Sequence, residues 1–243
     1  MNSCNAYESE SMHETLGDTL RPGGFSLTEK SVQYCKISAG DKVLDLGCGQ
    51  GATVNYLYEK HNIRATGVDP SQKLIEESKK QYEYADFFLG KGEKLPFGND
   101  SFHCVFAECT LSLMDIDCTL KQVNRVLKEN GWFIITDVYA RNPEKLSELN
   151  EFSINSCMRG LHNLPRLIEK LEQTGFIIAL SEDCSHLLKE VLVKAVFSYG
   201  SMSAFWNITG QGCIDGYNFS ETLKKCKPGY FILIARKVGS IHG

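Results

Sequence analysis

The stretch VLDLGCGQGA, residues 43–52, constrains the fold more than any other part of the chain. Its apolar start is typical of a short buried strand, and a helical pattern follows from Ala52. Three glycines lie between the two, and glycine lets backbone come close to a ligand because it has no Cβ. This order of strand, glycine turn and helix predicts a ligand site at the carboxyl end of a parallel sheet.

Strand and helix patterns alternate along the rest of the chain. Further strands are predicted at 64–70, 86–90, 101–109, 132–138, 176–181 and 229–237. Alternation of this kind favours a Rossmann-like, doubly wound α/β fold with helices on both faces of one seven-stranded sheet. We therefore predict one domain over residues 1–243.

Three helix ends are predicted from capping patterns. Ser26 and Glu29 form a capping box for a helix through about Cys35. Asp117 is predicted to cap a later helix, which Gly131 would end in the left-handed conformation.

Two segments fall outside the regular alternation. Residues 182–228 separate the last two strands and carry their own helical pattern, which predicts an insertion acting as a lid or an interface. Its Phe205 and Trp206 either line a pocket or subunit contact, or anchor the segment to the core. Residues 1–25 are predicted to form an N-terminal cap segment.

Composition excludes several classes of protein. The formal net charge of −4 argues against nucleic acid as the main partner. No apolar run approaches the length that spans a bilayer, and the polar, acidic first twenty residues do not resemble a signal peptide. We therefore expect no membrane contact and a cytoplasmic location. The ten cysteines contain no CxxC pair and are predicted to be mostly buried thiols, with no metal site.

The acid in front of the glycine turn bears on the choice of ligand. Gly47, Gly49 and Ala52 fit a nicotinamide or an adenosyl cofactor, and Asp69 stands where an acid holds ribose hydroxyls in both. A pyrophosphate beside Asp45 would be repelled, whereas S-adenosylmethionine (SAM) has no phosphate and carries a sulfonium and an ammonium. A simpler interpretation is that Asp45 only caps the turn. An NAD-dependent oxidoreductase is the less favoured alternative.

At this point the sequence resembles a known family. VLDLGCGQG, GVDPS and KGEKLPFGNDSFHCVF, in this order, resemble the class I SAM-dependent methyltransferases, and most of all their small-molecule, type 11 branch. The resemblance is strong over residues 26–140. It implies the class I fold with an antiparallel last strand, SAM as cofactor, and methyl transfer to a small-molecule acceptor.

The resemblance also implies which residues bind the cofactor. Glycines of the turn would surround the methionyl part, Asp45 its ammonium and Asp69 the ribose, while the loop after the third strand would receive adenine. The implied set is Asp45, Gly47, Cys48, Gly49, Gly51, Asp69, Pro70, Gly92, Glu93 and Ala107. Many relatives have an aspartate that accepts from the adenine amino group where this chain has Lys91, which cannot accept a hydrogen bond.

Methyl transfer requires a base only when the nucleophile must lose a proton, so no catalytic motif is obligatory. Glu108 and Tyr139, near the ends of the fourth and fifth strands, are the candidate catalytic residues. Arg21 and Cys109 are the candidate substrate residues, although Glu108 and Arg21 could equally be surface charges. A non-catalytic SAM-binding regulatory protein on the same fold is the alternative function. Both a monomer and a homodimer stay open.

Overall fold

The computed structural model describes residues 4–17 and 19–238, which form one large sheet and nine α-helices. The strands of the sheet are β1 (Val43–Leu46), β2 (Ala65–Asp69), β3 (Asp86–Leu89), β4 (Phe102–Glu108), β5 (Leu127–Ala140), β6 (Phe176–Asp183) and β7 (Pro228–Lys237). The helices are α1 (Glu10–Leu16), α2 (Ser26–Cys35), α3 (Ala52–His61), α4 (Gln72–Gln81), α5 (Ile116–Val126), α6 (Leu164–Gln173), α7 (Ser185–Tyr199), α8 (Met202–Thr209) and α9 (Gly216–Cys226). Cys4–Asn5 and Ile154–Asn155 form a separate parallel pair.

The seven strands lie in the order β3-β2-β1-β4-β5-β7-β6. The pairs β1–β2, β1–β4, β2–β3 and β4–β5 are parallel, and the last strand runs antiparallel. The predicted fold class is confirmed. In the ladders Asp45 lies opposite Gly67 and Phe106, so the carboxyl ends of β1, β2 and β4 meet at one edge of the sheet.

The helix ends differ from the predicted ones. Phe25 is the N-cap of α2, and Ser26 already lies inside the helix, so the predicted capping box is wrong. Glu29 instead accepts hydrogen bonds from Tyr56 and Gln33 and contacts His61 at 2.7 Å. A partner on the neighbouring helix has replaced the local backbone contact that the sequence pattern predicts.

The boundaries of α5 are shifted for similar reasons. Asp115, not Asp117, is the N-cap, and it accepts from the Cys118 N–H, while Asp117 forms an ion pair with Lys170. The helix ends at Val126, and the left-handed residue is Asn130, with φ 62°, rather than Gly131. Asparagine tolerates this conformation better than most residues with a side chain. The chain therefore becomes extended earlier than predicted.

The chain divides into two compact units. The unit that we call the sheet unit comprises residues 25–136, 168–181 and 232–238. The other, which we call the helical unit, comprises residues 4–17, 19–24, 137–167 and 182–231. Strands β5, β6 and β7 have residues in both ranges.

Within the helical unit the segment 182–228 consists mainly of α7, α8 and α9. Phe205 and Trp206 are almost completely buried, and the Trp206 ring meets Phe219 edge to face with centroids 4.9 Å apart. The two aromatics therefore anchor this unit internally. A lid or interface role for the segment stays a prediction.

Two further observations bear on the expectations drawn from composition. No helix in residues 4–17 and 19–238 is long and apolar enough to cross a membrane. Cys213 is disulfide-bonded, so the prediction of thiols is wrong at this position, whereas Cys35, Cys48 and Cys104 are buried thiols. A disulfide requires proximity in space, which the spacing of cysteines along a sequence does not reveal.

Candidate cofactor site

The turn between β1 and α3 has the conformation that its glycines predict. Gly47, Gly49 and Gly51 all lie in the left-handed region, with φ of 78°, 53° and 82°. The Val68 carbonyl on β2 accepts hydrogen bonds from the N–H groups of Gly47 (2.8 Å) and Cys48 (3.1 Å). The turn is therefore fixed to the carboxyl end of the neighbouring strand.

The three glycines serve different purposes. A Cβ on Gly47 would lie 2.5 Å from the Thr110 methyl group, and one on Gly51 would lie 2.8 Å from the Phe87 ring. A Cβ on Gly49 would meet no atom within 4 Å. Packing thus requires glycine at positions 47 and 51, whereas the backbone at Gly49 faces open space that a ligand can use.

Asp69 links the end of β2 to this turn. Its Oδ2 accepts a 3.0 Å hydrogen bond from the Gly49 N–H, and its Oδ1 accepts a 2.8 Å bond from the Ser71 N–H. The side chain is largely buried. Burial raises the pKa of this carboxyl above its usual value, although the two N–H groups oppose the shift. The strand-end acid is thus in direct contact with the glycine turn.

The pKa of the Cys48 thiol indicates that negative charge is concentrated at the turn. Burial raises the pKa of its thiol well above the usual value, and the carboxylates of Asp45 and Asp69 raise it further. Asp45 itself is buried on β1. The thiol is therefore neutral and a poor nucleophile. Two carboxylates near one turn favour a cationic ligand and disfavour a diphosphate.

The loop after β3 is closely packed against the start of α5. A Cβ on Gly92 would lie 2.5 Å from the Met114 Sδ, so no larger residue fits there without movement. Glu93 Oε1 accepts a 2.9 Å hydrogen bond from the Asp115 N–H. Pro70 is exposed directly after Asp69. The loop that the resemblance assigns to adenine is therefore a fixed structure.

Glu108 ends β4 and is bound by two hydroxyl groups. Its Oε1 accepts a 2.7 Å hydrogen bond from Thr28 on α2, and its Oε2 accepts a 2.9 Å bond from Thr53 on α3. The side chain is only 7% exposed. This arrangement favours a positioning role, in which the carboxylate joins two helices to a strand end, over the base that the sequence suggests.

The residues flanking Glu108 differ from each other. Ala107 is completely buried within β4. Cys109 has a φ of 56°, a conformation that is rare outside glycine, and its N–H donates a 2.7 Å hydrogen bond to the Thr136 carbonyl. Uncommon backbone conformations of this kind concentrate at functional sites.

Two predicted site residues lie in the helical unit. The Tyr139 hydroxyl donates a 3.0 Å hydrogen bond to Asp183 and accepts one from Arg141. Arg21 is buried, and its Nε donates to the Gly24 carbonyl at 3.0 Å. The sheet unit contains every other predicted site residue. The proposed roles of Arg21 and Tyr139 in substrate binding and catalysis therefore stay predictions.

Sequence reasoning missed four residues that shape the site. They are Thr28, Thr53, Thr110 and Ser71. Thr110 packs against Gly47 and donates a 2.8 Å hydrogen bond to the Leu46 carbonyl. Thr53 directly follows the glycine turn in the sequence, but its partner Glu108 is 55 residues away, so no local signal connected the two. Among residues 4–17 and 19–238 no group of three or more potential ligands could hold a metal ion.

Comparison with known proteins agrees with this geometry. Residues 37–191 match the family model Methyltransf_31, described as a methyltransferase domain. A curated relative, the uncharacterized methyltransferase YodH of Bacillus subtilis, is 32% identical over 160 residues, which cover 64% of this chain and 68% of that protein. Several further curated methyltransferases are matched over 35–74% of their own length.

Two solved structures show the same fold. The [4+2]-cyclase SpnF has a TM-score of 0.70 at 21% identity, with 94% of this chain and 92% of that chain covered. Phosphoethanolamine N-methyltransferase 2 of Haemonchus contortus, solved in complex with SAM, has a TM-score of 0.73 at 18% identity, with 94% and 56% covered. The family match extends over more than half of the chain and includes the glycine turn, Asp69 and Glu108. The chain therefore belongs to the methyltransferase-domain family and is a class I SAM-dependent methyltransferase.

Proposed function

We propose that this methyltransferase holds SAM on the glycine turn of the sheet unit and transfers its methyl group to a small-molecule acceptor. One observation carries the proposal: the backbone of Gly49 faces open space while its N–H is held by the strand-end carboxylate of Asp69. Turn, acid and open space lie at the carboxyl edge of a parallel sheet, where such folds bind ligands.

The residues present fit this cofactor. The two carboxylates near Cys48 suit a ligand with a sulfonium and an ammonium group, and they disfavour a nicotinamide dinucleotide. Asp69 is the residue to accept hydrogen bonds from the ribose hydroxyls, and Asp45 is the residue to attract the ammonium end. Gly47, Cys48, Gly49 and Gly51 would approach the methionyl part through their backbone.

The loop after β3 supplies the proposed adenine contacts. Gly92 N–H would donate to the ring, and the packing of Met114 and Thr119 against Gly92 holds the loop in place. Glu93 would act through its hydrogen bond to the start of α5, and Pro70 through the direction that it gives the chain after Asp69. Lys91 offers no acceptor, so we expect part of the adenine recognition to come from backbone groups.

When bound, SAM supplies a methyl carbon attached to a good leaving group, a neutral thioether. The chain's own task is then to align an acceptor with that carbon and to exclude water. Ala107 and Cys109 are the proposed strand-end residues beside the methyl, and Glu108 fixes this end of β4 through Thr28 and Thr53. We assign no base, because an acceptor that attacks without losing a proton requires none.

Support for a small acceptor comes from the relatives. The phosphoethanolamine N-methyltransferase that shares this fold is named for an acceptor of a few heavy atoms. The fold is also shared by a [4+2]-cyclase, so the fold alone does not specify the acceptor, and the proposal of a small acceptor requires its own test.

The test combines binding and turnover. We expect calorimetry to show SAM and S-adenosylhomocysteine binding and NAD failing to bind. We expect S-adenosylhomocysteine release with at least one member of a panel of small amines, phenols, carboxylates and thiols. Gly49→Val should remove both binding and turnover, and the exposed-residue variant Gln50→Ala should keep both. Tight SAM binding without turnover on any member of the panel would contradict the proposed class of acceptor.

A further inference from the structure

A cavity of about 260 Å³ lies at the amino-terminal edge of the sheet unit. The C-terminal end of α2, the start of β4 and the start of β5 border it, and it is open to solvent on one side. His103, Lys128, Trp132, Ile37, Asp41 and Glu129 line it together with two thiols. His103 and Glu108 are five residues apart on one strand, which places this cavity about 16 Å from the carboxyl edge. It is therefore separate from the cofactor turn.

A bulge in β5 creates the cavity. Phe102 pairs with Leu127 and Cys104 with Trp132, so one residue of β4 faces four unpaired residues of β5. The left-handed Asn130 turns this stretch out of the ladder. Bulges commonly redirect side chains for a purpose, and this one presents Lys128 to His103.

The contact between these two side chains is a conflict of hydrogen-bond donors. His103 Nδ1 accepts a 2.8 Å hydrogen bond from the Lys42 N–H, so the proton of the neutral ring sits on Nε2. Lys128 Nζ lies 2.8 Å from that same Nε2. An ammonium has no lone pair to accept this proton.

The opposite tautomer does not remove the conflict. A proton on Nδ1 would face the Lys42 N–H, and Asp41 Oδ1 is 3.7 Å away, too far for a good hydrogen bond. Asp41 Oδ2 is already bound to the Ser38 N–H and hydroxyl. An acceptor from outside the chain, lying beside the pair within hydrogen-bond distance of both Nε2 and Nζ, would satisfy both donors.

The charged side chains around the cavity favour a ligand that carries a single negative charge. Lys36 and Lys128 line it together with Asp41 and Glu129, so the two signs cancel. The Arg236 guanidinium lies 5.3 Å from the centroid of the Trp132 ring and leaves one positive charge in excess. Burial raises the pKa of Cys35 to about 12 and also raises that of Cys104, so both thiols are neutral. A monoanion balances this one excess positive charge, whereas a dianion would leave one negative charge uncompensated.

The remaining wall is apolar. The Trp132 ring, Ile37 and the two thiols offer contact area to a hydrocarbon body, and 260 Å³ is below the size of a drug-like pocket. We propose that this cavity is a second ligand site, which binds a small organic monocarboxylate through Nε2 of His103 and Nζ of Lys128.

In the experiment, benzoate is titrated into the full chain. Binding is measured by calorimetry and by NMR of the His103 ring. Benzyl alcohol has the same ring without the charge, and inorganic phosphate is an anion without an apolar body that is largely doubly charged at neutral pH. Lys128→Met removes the ammonium and keeps most of the side-chain length. Lys79→Met, on the exposed face of α4, is the matched control.

We expect saturable benzoate binding that shifts the Nε2 signal of His103. Binding should weaken at least about tenfold in Lys128→Met and for benzyl alcohol, because a charge-assisted hydrogen bond is lost. It should stay within about twofold in Lys79→Met, which changes no cavity residue. SAM affinity of Lys128→Met should equal that of the unmodified protein, which also confirms that the variant is folded.

Several results would overturn the proposal. They are the absence of benzoate binding to the unmodified protein, equal affinity for benzyl alcohol or for phosphate, and unchanged benzoate affinity in Lys128→Met. All of these results are measurements of benzoate binding, which do not depend on methyl transfer. A failure of the proposed function would appear in the SAM-binding and turnover assays instead.

Discussion

Thr28 and Glu108 are joined by a 2.7 Å hydrogen bond between residues eighty positions apart in the chain. A second bond from Thr53 engages the other oxygen of the same carboxylate. Two helices are thereby attached to the end of β4 at the edge where the cofactor turn lies. A charged group with both oxygens hydrogen-bonded is costly to remove and is badly placed to accept a proton from a substrate.

Substitutions of Glu108 distinguish a structural role, in which it attaches two helices to β4, from a role as a catalytic base. Glu108→Ala should lower the free energy of unfolding by about 2–4 kcal/mol, since two buried hydroxyls lose their acceptor. Glu108→Gln keeps the shape and one acceptor, so turnover should stay within about threefold. Denaturant unfolding and turnover assays measure these effects, with the exposed Glu59→Ala as control. A loss of about a hundredfold in kcat for a well-folded Glu108→Gln would restore the base assignment.

Asp69 makes cofactor affinity depend on pH. Because burial raises the pKa of its carboxyl, the group takes up a proton at a less acidic pH than an ordinary aspartate. SAM affinity should therefore fall as the pH is lowered through that raised pKa. Asp69→Asn should weaken binding by about 1–3 kcal/mol at neutral pH and should lose this dependence.

Calorimetric titrations at several pH values test this expectation. Asp86→Asn changes an exposed carboxyl at the start of β3 and should behave like the unmodified protein. If Asp69→Asn binds SAM normally and its melting temperature is unchanged, Asp69 does not bind the cofactor.

Substitution at two glycines of one turn should have different effects on stability and on cofactor binding. Gly51→Ala introduces a Cβ about 2.8 Å from the Phe87 ring at a φ of 82°, and it should lower the free energy of unfolding by roughly 2–4 kcal/mol. Gly49→Val has space for its side chain and should cost only about 1–2 kcal/mol, because of its backbone conformation. The valine should nevertheless abolish SAM binding.

Thermal unfolding and calorimetry on both variants measure the contrast. Normal SAM binding by Gly49→Val would show that the cofactor lies elsewhere. A variant Gly49→Val that is less stable than Gly51→Ala would show that the space beside residue 49 is not open.

The buried pair of Asp137 and His162 should be important for stability. His162 Nε2 lies 3.2 Å from Asp137 Oδ2, and both side chains are almost completely inaccessible to solvent. His162→Ala should lower the free energy of unfolding by about 3 kcal/mol, since a buried carboxylate loses one of its partners. Denaturant unfolding measures this effect against the exposed-residue control His186→Ala. Equal stability of the two variants would contradict a structural role for the pair.

The parts of the fold that depend on local periodicity could be predicted from the sequence. The alternation around VLDLGCGQGA predicts β1, the turn and α3, and each is present with its bounds nearly unchanged. Capping residues were predicted less well, because the choice between Asp115 and Asp117 depends on which of them is drawn to Lys170. A short stretch of sequence around a helix end does not show which distant residue will form an ion pair with it.

The candidate site shows the same division. Its turn and its acids are short-range patterns, so sequence reasoning selects them directly. The role of Glu108 depends on Thr28 and Thr53, which reach it from two other elements, and no spacing rule connects these positions. The conflict between His103 and Lys128 arises from a bulge whose register becomes visible only when the strands are paired.

The contact between Asp69 and Gly49 has a thermodynamic consequence. The carboxylate that would receive the ribose already immobilises the backbone on which the methionyl part would rest. Little conformational entropy then remains to be lost when a nucleoside arrives, so affinity can come from few contacts. Such preorganisation would also let the product leave without any rearrangement of the chain around it.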